Sequence, residues 1–341
     1  MSGADGVRSD QAPIAVLGTG SWGTALAIQF ARAGRPTRLW GRDRSHTEVL
    51  ARDRKNHRYL PGAQFPDSLQ VEDGLDGALE GALDVLIAVP SPAFREVLST
   101  IAPRLRQGQR IAWATKGFEQ DSLLLPHQVA RQALGAEVPI AVLSGPTFAR
   151  EVGLGLPTAM TVASPDPVFA RALVLSISGL NFRGYTSEDI VGVEVGGAVK
   201  NVIAIATGIA DGMGFGANTR TALITRGLAE MTRLGLALGG HASTFMGLAA
   251  LGDLVLTCTD DQSRNRRFGL GLAEGLSAQA ALARIGQVVE GYDAARAVHA
   301  VAEQRGVDMP ISEAVFQVLH AGLMPVEAAR ALMDRELRPE H

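Results

Sequence analysis

The chain has 341 residues, enough for two domains that each bury a core, and 46% hydrophobic with 20% charged residues is a globular composition, not a disordered one. Lys plus Arg number 32 against 35 acidic residues, which removes bulk attraction for nucleic acid and leaves only local anion sites. The single cysteine, Cys258, excludes an intrachain disulfide and a thiolate metal cluster; with a polar tail at 1–11, no His-x-x-x-His pair and no apolar run near the ~18 residues of a bilayer span, the expectation is a cytoplasmic protein without metal or membrane span.

The apolar run Ile14–Leu17 predicts a strand, and 24–33 predicts a helix closed by Gly34. Between them stands Gly18-Thr19-Gly20-Ser21-Trp22-Gly23. In such a turn Gly18 makes the tight corner, Gly20 lets backbone approach a pyrophosphate and Gly23 lets helix pack on strand, with the helix N–H groups left for the anion. A chance glycine turn is the competing reading of the string alone, and its strand–turn–helix setting favours a dinucleotide site. The next strand, Thr37–Trp40, is followed by Arg42 and Asp43, one suited to an NADP 2′-phosphate and the other to an NAD ribose hydroxyl. Arg42 comes first after the strand, so the expectation is that NADPH serves at least as well as NADH.

Further buried-strand runs occur at 85–89, 110–114, 140–143 and 159–162, and strands alternating with helices predict a doubly wound, Rossmann-like parallel sheet. After 181–186, a last strand, Ser187 reads as an N-cap and the pattern turns helical at 218–238, 278–283, 293–304 and 312–319. The expected organisation is a dinucleotide domain over 12–190 and an all-helical substrate and catalytic domain over 191–341.

Lys200 lies on a glycine-interrupted apolar helix, where interior glycines at ~1 kcal/mol each suggest close packing by backbone or ligand. Desolvation there would lower its pKa and suit it to acid–base work; the other reading is a lysine snorkelling from a helix edge. Lys116, beyond a strand end, is either a ligand group or a solvated lysine, and Asp253 is either a partnered buried acid or a helix N-cap. Ser263-Arg264-Asn265-Arg266-Arg267 offers the donors a phosphate monoester needs, or is a basic surface patch.

Taken in order, the glycine turn with Ser21-Trp22-Gly23, Lys116-Gly117-Phe118-Glu119, Ser144-Gly145-Pro146-Thr147-Phe148-Ala149, Gly196-Gly197-Ala198-Val199-Lys200-Asn201, Gly252-Asp253-Leu254, Ser263-Arg264-Asn265 and Val288-Val289-Glu290-Gly291 resemble the bacterial-type NAD(P)-dependent glycerol-3-phosphate dehydrogenases, from about Ile14 to Leu332. The resemblance implies interconversion of dihydroxyacetone phosphate and sn-glycerol 3-phosphate with NADP or NAD, supplying glycerol phosphate for phospholipids. It implies Lys200 as the proton donor and acceptor, and Lys116, Gly145, Thr147, Lys200, Asp253, Ser263, Arg264 and Asn265 as substrate contacts. Ser21, Trp22, Arg42, Lys116, Ala149, Arg264, Val288 and Glu290 are the cofactor contacts it implies, beside the turn glycines. Thr147 stands where serine is common in the family and keeps the hydroxyl. The family often forms homodimers, although no interface signature is legible in the sequence. Two alternatives are a related two-domain dehydrogenase for another hydroxy acid or sugar phosphate, separated by a missing phosphate requirement, and a nicotinamide-sensing protein without turnover, against which Lys200 and Asp253 stand.

Overall fold

The computed structural model describes residues 12–334, so the polar tail 1–11 lies outside the described residues. Two compact units result. The first runs through Thr115 and resumes over Pro126–Ile190; the second combines Lys116–Leu125 with the chain from Val191 onward. A single boundary near residue 190 leaves Lys116–Leu125 with the first half, but Phe118 and Leu125 are buried in the apolar core of the second unit and carry the segment there.

The first unit begins β1 (Ile14–Leu17), α1 (Ser21–Arg32), β2 (Thr37–Trp40) and α2 (Arg44–Asp53). A small hairpin, β3 (Lys55–Asn56) with β4 (Leu60–Gln64), precedes β5 (Leu69–Glu72), α3 (Leu75–Leu79) and β6 (Asp84–Ile87). It continues with α4 (Ser91–Ile101), β7 (Arg110–Trp113), α5 (Pro126–Leu134), β8 (Ile140–Ser144) and α6 (Ala149–Leu154), and ends with β9 (Thr158–Ala163), α7 (Pro167–Ile177) and β10 (Phe182–Ser187). The eight-stranded sheet has the order β10-β9-β8-β7-β6-β1-β2-β5. Six strands, β8 to β5 in that order, run parallel; β9 pairs antiparallel with β8 and parallel with β10, so the last two strands reverse direction. The β1 and β6 residues are all buried, as strands covered by helices on both faces require.

The second unit contains helices alone among its described residues. They are α8 (Ile190–Gly212), α9 (Gly216–Ala237), α10 (Ala242–Phe245), α11 (Asp253–Thr259), α12 (Arg264–Ala273), α13 (Ala278–Ile285), α14 (Glu290–Arg305), α15 (Pro310–His320) and α16 (Pro325–Met333). Ser187 ends β10 instead of capping α8, its hydroxyl accepting from Asp189 N at 3.2 Å. By length and composition α8, 23 residues, is apolar enough to cross a membrane, as is 242–259, which corrects the count of apolar runs made on the sequence. Burial explains it: 89% of the α8 window is enclosed, so this is the core helix of the unit.

Backbone contact between helices sets this packing. A Cβ on Gly208 would fall 2.1 Å from Arg266 O and one on Gly269 2.3 Å from Ile205 O, so α8 and α12 touch backbone to backbone at two glycines.

Candidate active site

At the glycine turn the three glycines have three different surroundings. Gly18 has φ +130°, and a Cβ there would fall 2.4 Å from Ala88 O; on Gly23 it would fall 2.0 Å from Gly18 O. Gly20, the N-cap residue of α1, faces open space, with nothing within 4 Å of such an atom. Gly18 thus makes the corner and Gly23 the close packing, while Gly20 is unobstructed. The helix starts at Ser21, not at 24, so Ser21, Trp22 and Gly23 form its first turn, whose N–H groups have no partner within the helix. Trp22 packs against the first unit's core with its indole Nε1 buried and lacking a hydrogen-bond partner.

After β2, the two cofactor-reading candidates separate. Asp43 is the N-cap of α2: its carboxylate accepts from Ser45 Oγ at 2.7 Å and His46 N at 3.2 Å, and these bonds hold its carboxyl below the ordinary range. Arg42 is 82% exposed, with Glu96 3.6 Å away. Beyond β8, a Cβ on Gly145 would fall 2.9 Å from the backbone of Met160, Thr147 donates its hydroxyl to Gly145 O at 3.2 Å, and Ala149 opens α6.

In the second unit Lys200 is buried, 8% exposed, which excludes snorkelling. Its Nζ donates to Asp253 Oδ1 at 2.5 Å and Thr257 Oγ1 at 3.0 Å, while Lys116 Nζ donates to Asp253 Oδ2 at 2.7 Å. One buried carboxylate therefore lies between two ammonium groups. The interior glycine Gly196 makes this possible: a Cβ there would sit 2.9 Å from Ala249 O, so the close neighbour left open on the sequence is backbone. That backbone is the π-helical turn Leu248–Gly252, which delivers Asp253 to the face of α8 that Gly196 and Lys200 share four residues apart. Asp253 sits in the first turn of α11 and Gly252 holds the N-cap position, so a capping role does not account for it.

Burial pulls Lys200 down to about 8, against the opposing charge of Asp253 and with the help of the Lys116 charge. Lys116, also desolvated, is nonetheless held above the usual lysine value because the charge and hydrogen bond of Asp253 outweigh burial. Burial would raise Asp253, but the two lysines overcome it and keep the acid ionised. An ammonium that titrates near neutrality beside one that does not is an arrangement able to give and take a proton.

The Ser263 string divides in the same way. Ser263 caps α12, its hydroxyl accepting from Arg266 N at 3.2 Å, and Arg266 is an internal strut paired with Asp211 and with Asp261 at 2.9 Å. Asn265 is a strut as well, donating to Asn201 Oδ1 at 2.9 Å and accepting from Gly291 N at 2.8 Å. Asn201 in turn donates to Glu290 Oε2 at 3.1 Å, so α8, α12 and the start of α14 are tied by one chain of amides. Arg264, partly buried in the first turn of α12, and the exposed Arg267 have no ion pair among the described residues. Val288, just before α14, is 50% exposed. Sequence reasoning misses Thr257 and Asn201; the i, i+4 spacing from Asp253 and the place next to Lys200 are the signals that point to them.

Comparison with known proteins covers both units. Residues 13–170 match the family model for the NAD-dependent glycerol-3-phosphate dehydrogenase N-terminus and 189–330 that for its C-terminus. The chain is 57% identical over 333 residues to a glycerol-3-phosphate dehydrogenase (NAD(P)+) of Aeromonas salmonicida, covering 97% of this chain and 100% of that one. Over 329 residues it is 53% identical to the corresponding protein of Pasteurella multocida, covering 96% and 98%. Among solved structures, a glycerol-3-phosphate dehydrogenase from Coxiella burnetii superposes with a TM-score of 0.92 at 48% identity, covering 95% of this chain and 99% of that one.

Proposed function

The chain belongs to the NAD-dependent glycerol-3-phosphate dehydrogenase family, and from that premise we propose how its residues divide the work. It is an oxidoreductase that interconverts dihydroxyacetone phosphate and sn-glycerol 3-phosphate with NAD or NADP, the latter product being the backbone unit of phospholipids.

The first unit fits the dinucleotide: a cradle filled at Gly18 and Gly23 and open at Gly20, followed by the unpaired first turn of α1. When bound, the reduced nicotinamide supplies a hydride for C2 of the ketone. Lys200 Nζ gives its proton to the carbonyl oxygen as charge develops there, passing from ammonium to amine, and recovers a proton from solvent. In oxidation the neutral amine takes the hydroxyl proton. Asp253 and Thr257 hold the Lys200 nitrogen in place, and Lys116 keeps Asp253 ionised. Arg264 is the phosphate anchor in this reading, turning a remote charge into orientation of the reacting carbon. Asn265, Asn201 and Glu290 brace the helices beneath it.

The observation that carries the proposal is the depressed Lys200 paired to a fully buried Asp253. The test is to mix the protein with NADPH or NADH and dihydroxyacetone phosphate and follow the loss of reduced nicotinamide. Consumption that depends on the substrate phosphate supports it; equal rates with unphosphorylated dihydroxyacetone, or binding without turnover, would overturn it. Residence in the cytoplasm, to be checked by cell fractionation, and assembly as a homodimer, suggested by the family resemblance and to be checked by sedimentation, belong to the same proposal.

A further inference from the structure

Asn56, in the short hairpin β3–β4, is completely buried although it lies far along the chain from the glycine turn. Its amide makes three hydrogen bonds. Nδ2 donates to Thr19 O at 2.9 Å and to Thr24 Oγ1 at 2.8 Å, and Oδ1 accepts from Tyr59 N at 3.1 Å. Thr19 is the residue between Gly18 and Gly20, and Thr24, also fully buried, lies in the second turn of α1. Thr19 is pinned from its other side too: a Cβ on Gly41 would fall 2.4 Å from its Oγ1, so the side chain fits only against a glycine.

A peptide unit is planar and trans, so its carbonyl and its N–H point in opposite directions. Thr19 C=O and Gly20 N–H are one such unit. With the carbonyl fixed on Asn56, the Gly20 N–H points away from Asn56, and Gly20 is the one residue of the three-glycine cradle that faces open space. We propose that Asn56 is a positioning residue for the dinucleotide: it sets the Thr19–Gly20 peptide plane so that a backbone donor is presented to the pyrophosphate before the cofactor arrives. The inference rests on the glycine turn being the pyrophosphate site. Pre-set donors spare the reorganisation that a flexible glycine turn would otherwise undergo on binding.

Asn56→Asp separates this role from the hairpin turn, since a carboxylate still accepts from Tyr59 N but places an oxygen against Thr19 O. The variant should raise the Kd for NADPH, followed by nicotinamide fluorescence, by about tenfold or more. ADP, which keeps a diphosphate, should lose affinity likewise, and adenosine should not. The kcat at saturating NADPH and the KM for dihydroxyacetone phosphate should stay within about twofold of the parent. Thr24→Val, which removes one acceptor and leaves the Thr19 bond, should show a smaller loss. An unchanged NADPH Kd, an equal loss for ADP and adenosine, or a fall in kcat with no change in Kd would each overturn the inference. Failure of the parent protein itself to bind NADPH or ADP would instead refute the glycine turn as the pyrophosphate site.

Discussion

Among the described residues each unit holds a buried carboxylate between two cations, and the two clusters differ in what their cations can do. In the first unit Asp84, fully buried where β6 begins, accepts from Arg35 Nη2 at 2.6 Å and from Arg110 Nε at 2.6 Å and Nη2 at 3.0 Å, and Arg35 also reaches Ser176 Oγ at 3.0 Å. In the second Asp253 meets Lys116 and Lys200. A guanidinium stays charged at any working pH and grips a carboxylate through a fixed fork, so Asp84 ties β6 to β7 and to the turn before β2. An ammonium gives up its proton more readily when desolvated, and burial draws Lys200 down to about 8. Charge number and burial are alike in both; in the proposed division of work, the cation type separates scaffold from proton donor. Position agrees, since Asp84 lies at the amino end of its strand and the glycine turn follows the carboxyl end of β1, where ligands bind in such sheets.

The largest effect is expected at Lys200. Lys200→Arg keeps the positive charge but not a proton that leaves near neutrality, and Lys200→Met keeps neither; both should lower kcat by roughly 10²- to 10⁴-fold while NADPH binding persists. A Lys200→Arg variant with kcat near the parent's would mean that charge alone suffices. At the scaffold end, Asp84→Ala leaves two arginines buried without a counter-ion and should cost about 3–5 kcal/mol of stability, read by denaturant unfolding, with kcat per folded molecule unchanged. Loss of kcat without loss of stability would erase the contrast.

Smaller effects sharpen it. Arg264→Ala should raise KM for dihydroxyacetone phosphate by about 10- to 100-fold, the worth of a hydrogen bond to a charged group, and affect unphosphorylated dihydroxyacetone less; equal losses would remove Arg264 from the phosphate. Arg42→Ala should lower kcat/KM with NADPH by roughly 10-fold, since Arg42 is exposed and solvent weakens its pairing, and change NADH less. If both cofactors suffer alike, the 2′-phosphate is read elsewhere.

The glycine turn is legible in the sequence because its meaning lies in residues that are chain neighbours. The fold class and the change from sheet to helices near 190 follow from hydrophobic period in the same way. What escapes is direction and distance. A buried apolar run looks the same whether its strand runs up or down, so the reversal of β9 and β10 leaves no sequence signal. Lys116, Lys200 and Asp253 are each readable as candidates, but Asp253 meets partners 137 and 53 residues away, and no local pattern predicts that one acid serves both. Arg266 reads as a donor for a ligand, whereas its bonds go to Asp211 and Asp261, and Asn265 also bonds Asn201 and Gly291; residue type states what a group can bond, not every bond it makes.

The most direct test of the central claim, that Lys200 is the proton donor, is the pH dependence of kcat/KM in both directions, for the parent and for Asp253→Asn. Reduction of dihydroxyacetone phosphate needs the ammonium, so its rate should be level below about 8 and fall above it, while oxidation of sn-glycerol 3-phosphate should rise through the same pH. Removing the Asp253 charge removes what favours the protonated form, and the falling limb should move to lower pH. Reduction that stays level well above pH 8, or a limb that does not move in Asp253→Asn, would contradict the account.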